Sequence, residues 1–381
     1  MVAEARTPAL PVPAALIGLL AFVLMGGVQA LYGPSLPGLS RVFGVPVSTA
    51  GLVVSAHGLG TLLGVLSGVP LAGRGLARYR TGVAVTLLAV GALLVGVATV
   101  WPVVLLGALT AGVGYGALTV GLNGLFAAAY GARGAAMVNL LNALFGIGAM
   151  LSPLLLRVAG EHTGWPFLAV ALGAGLLAPF AFTLDDRVPT RTAAPGGPAG
   201  GRRGLLVGFL ALLALGVGLE ASSSGWNATY LVTLGASPAA AAGFASLFYL
   251  VFTLGRLAAV PLSLRVSSSA LVLTALALGC VLLGLAHVPA LAPFTLAALG
   301  GGVAVLFPNT FTWLARALPG AGGGTALVIA GALLGGAVFP ALVGQVVAVF
   351  GERTIPGVLL VLGALALAVG LWLRRRTGSL A

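Results

Sequence analysis

The sequence predicts an all-α membrane protein of twelve transmembrane helices, built as two six-helix pseudo-repeats with both termini in the cytoplasm. Three observations predict this fold class. The composition is overwhelmingly apolar, the apolar stretches are of spanning length and divide six and six around one long polar break, and one half partly repeats the other.

Of 381 residues, 60% are hydrophobic and 6% charged, with a mean hydropathy of +1.16. So few charges cannot furnish the surface of a water-soluble domain. A helix needs ~20 apolar residues to cross ~30 Å of hydrocarbon. Stretches of that length fall at 13–33, 48–70, 81–100, 103–129, 136–158, 165–184, 204–232, 239–262, 270–287, 292–315, 323–348 and 355–373. The first run lacks a small-residue cleavage pattern and reads as a span, not a signal peptide.

The long polar break, residues 185–203, is rich in Pro and Gly and carries both charge signs. It reads as a flexible cytoplasmic linker between a bundle at 1–184 and a bundle at 204–381. Leu63–Leu71 resembles Leu254–Leu262 at a constant offset, pairing Gly64 with Gly255, Val69-Pro70-Leu71 with Val260-Pro261-Leu262, and Arg74 with Arg265. Asn123 and Asn309 match at a similar offset, as do Pro153 and Pro340.

All eighteen basic residues are Arg, and a pI near 11.5 would suggest nucleic acid in a soluble protein. Here the charge is topological. With the N-terminus in the cytoplasm, fourteen arginines fall on the inner side, Arg41, Arg157 and Arg353 fall outside, and Arg256 lies in the eighth span near its inner end. That asymmetry obeys the positive-inside rule. The lone Cys280 permits no disulfide or cysteine metal site, and no phosphate loop, hydrolase or metal signature is present. No cofactor and no enzymatic activity are expected. The implied partners are the lipid bilayer of the cytoplasmic membrane and a small-molecule solute, with the chain acting as a monomer.

Five of the six carboxylates, Glu4, Glu161, Asp185, Asp186 and Glu352, fall in polar stretches between spans. Glu220 lies inside the seventh span, where an ionisable group costs several kcal/mol unless protonated, paired or solvated, and so marks a functional site. At ~100° per residue, Ser224 and Asn227 share its face of the helix, while Trp226 and Tyr230 form a neighbouring stripe. Polar groups of this kind bond hydroxyls, and aromatic faces stack on the C–H face of a sugar ring. The structural alternative is interhelical hydrogen bonding, with Trp226 and Tyr230 in the interfacial belt. Gln29 of the first span matches Glu220 at the repeat offset, so the two are expected to face a cavity from opposite halves. Asn123, Asn142 and Asn309 are further candidate substrate contacts. His57, Asn139, Tyr32, Tyr249 and Trp313 are weaker ones, each of which could instead be packing or helix–helix glue. Glycine spacings such as Gly60/Gly64/Gly68 and Gly112/Gly116 predict close helix approach.

Twelve helices in two parallel repeats joined by a cytoplasmic loop resemble the major facilitator superfamily, which implies a substrate site near the midplane between the halves. The superfamily's loop signature after the second span survives only in part at residues 68–80, with Ala72 at its acidic position. The resemblance offers Arg74, Arg78 and Arg80 as a cytoplasmic latch; a topogenic role explains them equally well. A narrower likeness is to the fucose/glucose–cation symporter group, in which Gly-x-Glu, Trp and Tyr recur in the seventh span as Gly218, Glu220, Trp226 and Tyr230 do here. The stretch Asn139–Pro153 resembles that group's fifth span, with Asn142 where His is usual and Ser152 where Gly is usual. The resemblance implies a hexose-like solute.

These readings point to a secondary active transporter working by alternating access, moving a small polar solute, hexose-like by resemblance. Coupling to protons would run through Glu220, with sodium as the alternative ion. A proton-driven exporter of drugs or other amphiphiles is the competing function. Its expected fifth-span signature, Gly-x3-Gly-Pro-x2-Gly, is only partly kept at Gly148 to Leu156.

Overall fold

In hydrocarbon every backbone donor and acceptor must be satisfied within the chain, and a helix does this segment by segment. The computed structural model describes residues 10–71, 79–130, 133–160, 162–184, 203–318 and 322–378, and among these the secondary structure is helical. The N-terminal half consists of α1 (Val12–Phe43), α2 (Val47–Ala50) with α3 (Leu52–Leu71), α4 (Arg80–Val97), α5 (Trp101–Ala129), α6 (Gly134–Ala159) and α7 (Trp165–Ala181). The C-terminal half consists of α8 (Arg203–Thr233), α9 (Pro238–Leu262), α10 (Ser268–Leu285), α11 (Ala292–Ala304) with α12 (Leu306–Ala317), α13 (Gly322–Phe350) and α14 (Ile355–Thr377). Helices α2 and α3 together form one span, as do α11 and α12. Twelve spans result, with the start of α1 and the end of α14 on the arginine-rich, cytoplasmic side. Residues 185–202 of the expected linker, and the latch candidates Arg74 and Arg78, lie outside the described residues.

Three elements depart from the expected spans, each for a local reason. Helix α1 runs about ten residues past its expected end, through Pro34 and Pro37, and stops at Gly44. Leu36 and Leu39 in this extension are buried, so packing holds the helix where the prolines weaken it. Gly44, with φ +62°, closes it by donating from its N–H to the Ser40 carbonyl. The tenth span is broken at Val305. Pro308 cannot donate to the Ala304 carbonyl four residues back, and the helix restarts there. The second span is likewise interrupted at Gly51.

Lipid offers helices no hydrophobic drive to associate, so close backbone approach carries the packing. A Cβ on Gly112 would strike the His57 carbonyl, one on Gly116 the Thr61 carbonyl, and one on Gly64 the Val113 carbonyl. Those contacts lock α3 against α5, as the glycine spacing predicts. Within the N-terminal half α1 is locked on α6 in the same way, through Gly26 on the Phe145 carbonyl and Gly148 on the Val23 carbonyl. Outward faces remain apolar: Leu172, Leu176 and Phe180, four residues apart on α7, are each more than 60% exposed and face lipid.

Gly112→Leu is expected to destabilise the fold by about 1–3 kcal/mol or more, because the opposing atoms are backbone and cannot repack. The check is a lowered melting temperature in detergent; a substitution on the lipid face, Leu176→Ala, serves as the control and should leave it nearly unchanged.

Candidate functional site

The two halves meet around a cavity of about 700 Å³, within the ~300–1,000 Å³ range of small-molecule sites. Each wall is one helical face, read off by spacings of three and four residues. Helix α1 contributes Phe22, Met25 and Gln29; α5 contributes Tyr115, Thr119 and Asn123; α6 contributes Asn139, Asn142 and Gly146. From the other half come Glu220 of α8, Thr253 and Arg256 of α9, and Asn309, Thr312 and Arg316 of α12. The wall continues to Ser263, Leu264 and Ser268 at the cytoplasmic turn between α9 and α10, so the cavity opens on that side.

The opposite, outer side is closed by contact between the halves. Gly33 of α1 meets the Ser224 carbonyl and Gly225 of α8, where a Cβ would not fit. The Trp226 indole lies against Gly51, at the start of the second span, and against Gly344 of α13. Its Nε1 donates to the Pro340 carbonyl at 3.1 Å. This is an inward-open arrangement with a sealed outer gate.

Gln29 and Glu220 both border the cavity, one from each half, and so do Asn123, Asn139, Asn142 and Asn309. The amides are held by their own helices: Asn123 donates to the Thr119 carbonyl at 2.7 Å, Asn142 to Val138 at 2.9 Å and Asn309 to Val305 at 2.8 Å. Each bond fixes the amide nitrogen to the carbonyl four residues back, one turn along the same helix.

Other expected substrate contacts sit elsewhere. Trp226 is fully buried in the outer gate, as described, and does not line the cavity. Tyr230 is buried with its hydroxyl donating to the Ala286 carbonyl at 3.0 Å, an anchor between α8 and the end of α10. Trp313 is buried against Phe209, its Nε1 donating to Thr377 Oγ1 at 3.3 Å. All three indole and phenol donors are thus spent inside the protein. Tyr32 and His57 pack together, ring centroids 5.0 Å apart, inside the N-terminal half and off the cavity. Ser224 and Asn227 share the helix face of Glu220 but lie one and two turns further out. They border a separate crevice of about 10 Å³ with Tyr249, and the Ser224 hydroxyl donates to the Ala221 carbonyl at 3.2 Å. Of the latch arginines, Arg80 starts α4 and lies beside Gly121 of α5.

Glu220 also has a basic neighbour, Arg256, which the sequence placed near the inner end of the eighth span. Arg256 reaches into the same cavity, and its charge acts on Glu220. At 1.5 Å per residue Glu220 lies ~20 Å from the outer end of α8, and Arg256 ~27 Å from the outer end of α9. The two are therefore offset by roughly one turn along the membrane normal. Taking Arg256 as an inner-end topological charge missed this. The signal was present in the spacing of Thr253, Arg256, Val260 and Ser263, which places Arg256 on a mixed polar face.

A family model described as Major Facilitator Superfamily matches residues 18–217, more than half of the chain. The chain belongs to the Major Facilitator Superfamily. Solved structures of the superfamily share its fold. A point mutant of the nucleoside transporter NupG aligns over 95% of this chain and 98% of its own, with a TM-score of 0.78 and 15% identity. The xylose transporter XylE from E. coli, in a partially occluded inward-open conformation, aligns over 93% and 97%, with 0.74 and 13%. The transporter FucP, in an outward conformation, aligns over 97% and 99%, with 0.62 and 19%. A search of curated protein sequences gives no significant match. Membership makes this superfamily protein a multi-pass membrane transporter of small solutes and not an enzyme.

Gly51→Leu should prevent the indole of Trp226 from seating and hold the outer side open. In a Cys280→Ser background carrying Asn227→Cys, labelling by a membrane-impermeant maleimide from outside is expected to rise severalfold when Gly51→Leu is added. Unchanged labelling would contradict this account of the gate.

Proposed function

We propose that this protein is a proton-coupled transporter of a small polyhydroxylated solute of hexose-like size, with Glu220 as the proton-carrying group. The observation that carries the reading is the position of Glu220. It is the sole carboxylate on the wall of a cavity whose other polar groups are amides, hydroxyls and two arginines, about midway along α8 and open to the cytoplasm. Amides suit the paired donor and acceptor character of hydroxyl groups, and Tyr115, Phe145 and Phe252 supply apolar ring faces.

Arg256 favours the proton over sodium. A bound metal cation needs several oxygen ligands, and a guanidinium in the same cavity opposes its entry; a proton resides on the carboxylate itself and needs no such shell. The same charge weighs against export of hydrophobic cations, since two arginines and one glutamate leave the cavity wall at +1 with Glu220 ionised (2 − 1 = +1). Both halves of a single chain enclose the cavity, which suits a monomeric unit.

The reading is tested with the full chain in proteoliposomes. Glu220→Gln is expected to abolish accumulation driven by a pH gradient, while exchange of solute at equal concentrations persists. Full pH-driven accumulation by the variant would remove Glu220 from the coupling role. Stimulation by a sodium gradient alone would assign sodium as the ion.

A further inference from the structure

Arg256 is the most unusual group in the cavity. A guanidinium has five N–H donors and cannot shed its charge. One donor reaches across the interface between the halves to Asn142 Oδ1, a long bond of 3.4 Å. The Phe252 ring covers one face, 4.4 Å from Cζ to the ring centroid. Nε is buried without a hydrogen-bond partner. Among the described residues, no hydrogen bond or ion pair joins Arg256 to Glu220, which acts on it only at a distance. An intramembrane cation with a single neutral partner is costly to keep. Its geometry is suited to a planar oxyanion, which a guanidinium binds through two parallel N–H donors.

We infer that Arg256 is a substrate-binding residue that recognises a carboxylate, so that the transported solute is an acidic sugar, such as a hexuronate or aldonate, in place of a neutral hexose. This rests on the reading of the cavity as a sugar site. A monoanion fits the charge balance: the wall carries +1 with Glu220 ionised, and a carboxylate that loads together with one proton leaves that charge unchanged. A phosphate dianion would overshoot that balance and face Glu220 across the same cavity. Asn142 sits where it would orient the guanidinium, bonding it from α6 while its own Nδ2 is fixed to the Val138 carbonyl. The solute carboxylate would then bind between α6 and α9, at the seam along which the halves must part. Occupation of Arg256 by an anion also withdraws the positive charge that compensates Glu220, so that anion and proton load together and cross as a neutral pair.

The test is counterflow in proteoliposomes holding the full-length protein, with labelled D-glucuronate, D-glucose, glucose 6-phosphate and L-lactate as probes. Glucuronate is expected to exchange about tenfold or more faster than glucose, as a charge-assisted hydrogen bond requires. Arg256→Gln should collapse the glucuronate-to-glucose ratio toward one, and Arg256→Lys should restore part of it. Thermal stabilisation of the unmutated protein by glucuronate, and not by glucose, gives the same answer without relying on a variant that folds. Glucose exchanged as well as glucuronate would overturn the inference and leave the neutral-hexose reading standing. Preference for glucose 6-phosphate would overturn the carboxylate in favour of phosphate. Exchange of lactate without glucuronate would keep the carboxylate at Arg256 and overturn the sugar reading beneath it. Exchange of none of the four would overturn both.

Discussion

Backbone-to-backbone contact is what this structure depends on. In a membrane, apolar side chains gain nothing by leaving lipid for protein, so helices are held by dispersion between closely fitted surfaces. Gly112 and Gly116 set α3 on α5, and Gly26 and Gly148 set α1 on α6. With each half rigid in this way, the remaining freedom lies between halves. There too the contacts are glycine-mediated: Gly33 on α8 at the outer gate, Gly58 against Ala337 of α13, and Gly146 against the Thr253 side chain. Interfaces of that kind can part without stranding polar groups, which suits a protein whose work is to open alternately on two sides.

The cavity follows from the same arrangement. Halves that touch at their outer ends and diverge toward the cytoplasm leave a wedge-shaped space, and the helix faces turned toward it are the ones that can be polar. Amides cap the backbone of their own helices, leaving their remaining atoms for a solute. The charged residues are treated differently: neither Glu220 nor Arg256 is neutralised by a direct partner. Both border the cavity, where the charge of Arg256 acts on Glu220 without touching it.

Much of this was legible in the sequence, because membrane crossing imposes length and hydropathy on every span. The repeat placed Gln29 and Glu220 opposite each other, and the cavity indeed brings both to its wall. Aromatic side chains were the hard part. Trp226, Tyr230 and Trp313 each carry one polar atom on a large apolar body, and nothing along the chain says whether that atom will meet a solute or a carbonyl; the structure gives all three to the protein. Arg256 was obscured for another reason. The positive-inside rule explains arginines near an inner helix end so readily that a functional one there goes unnoticed. The lengthening of α1 through two prolines shows tertiary burial overriding a local stop signal.

The outer gate carries a consequence for how the protein responds to its surroundings. Trp226, Gly33, Gly51, Gly225 and Gly344 include no acid, no base and no ion pair, and the one hydrogen bond uses an indole and a peptide carbonyl. The seal is electrically silent. These contacts carry no formal charge, so acidity and ionic strength act little on them directly. Dependence of the cycle on external pH is therefore expected to enter through charged groups outside these contacts, Glu220 and Arg256 of the cavity among them.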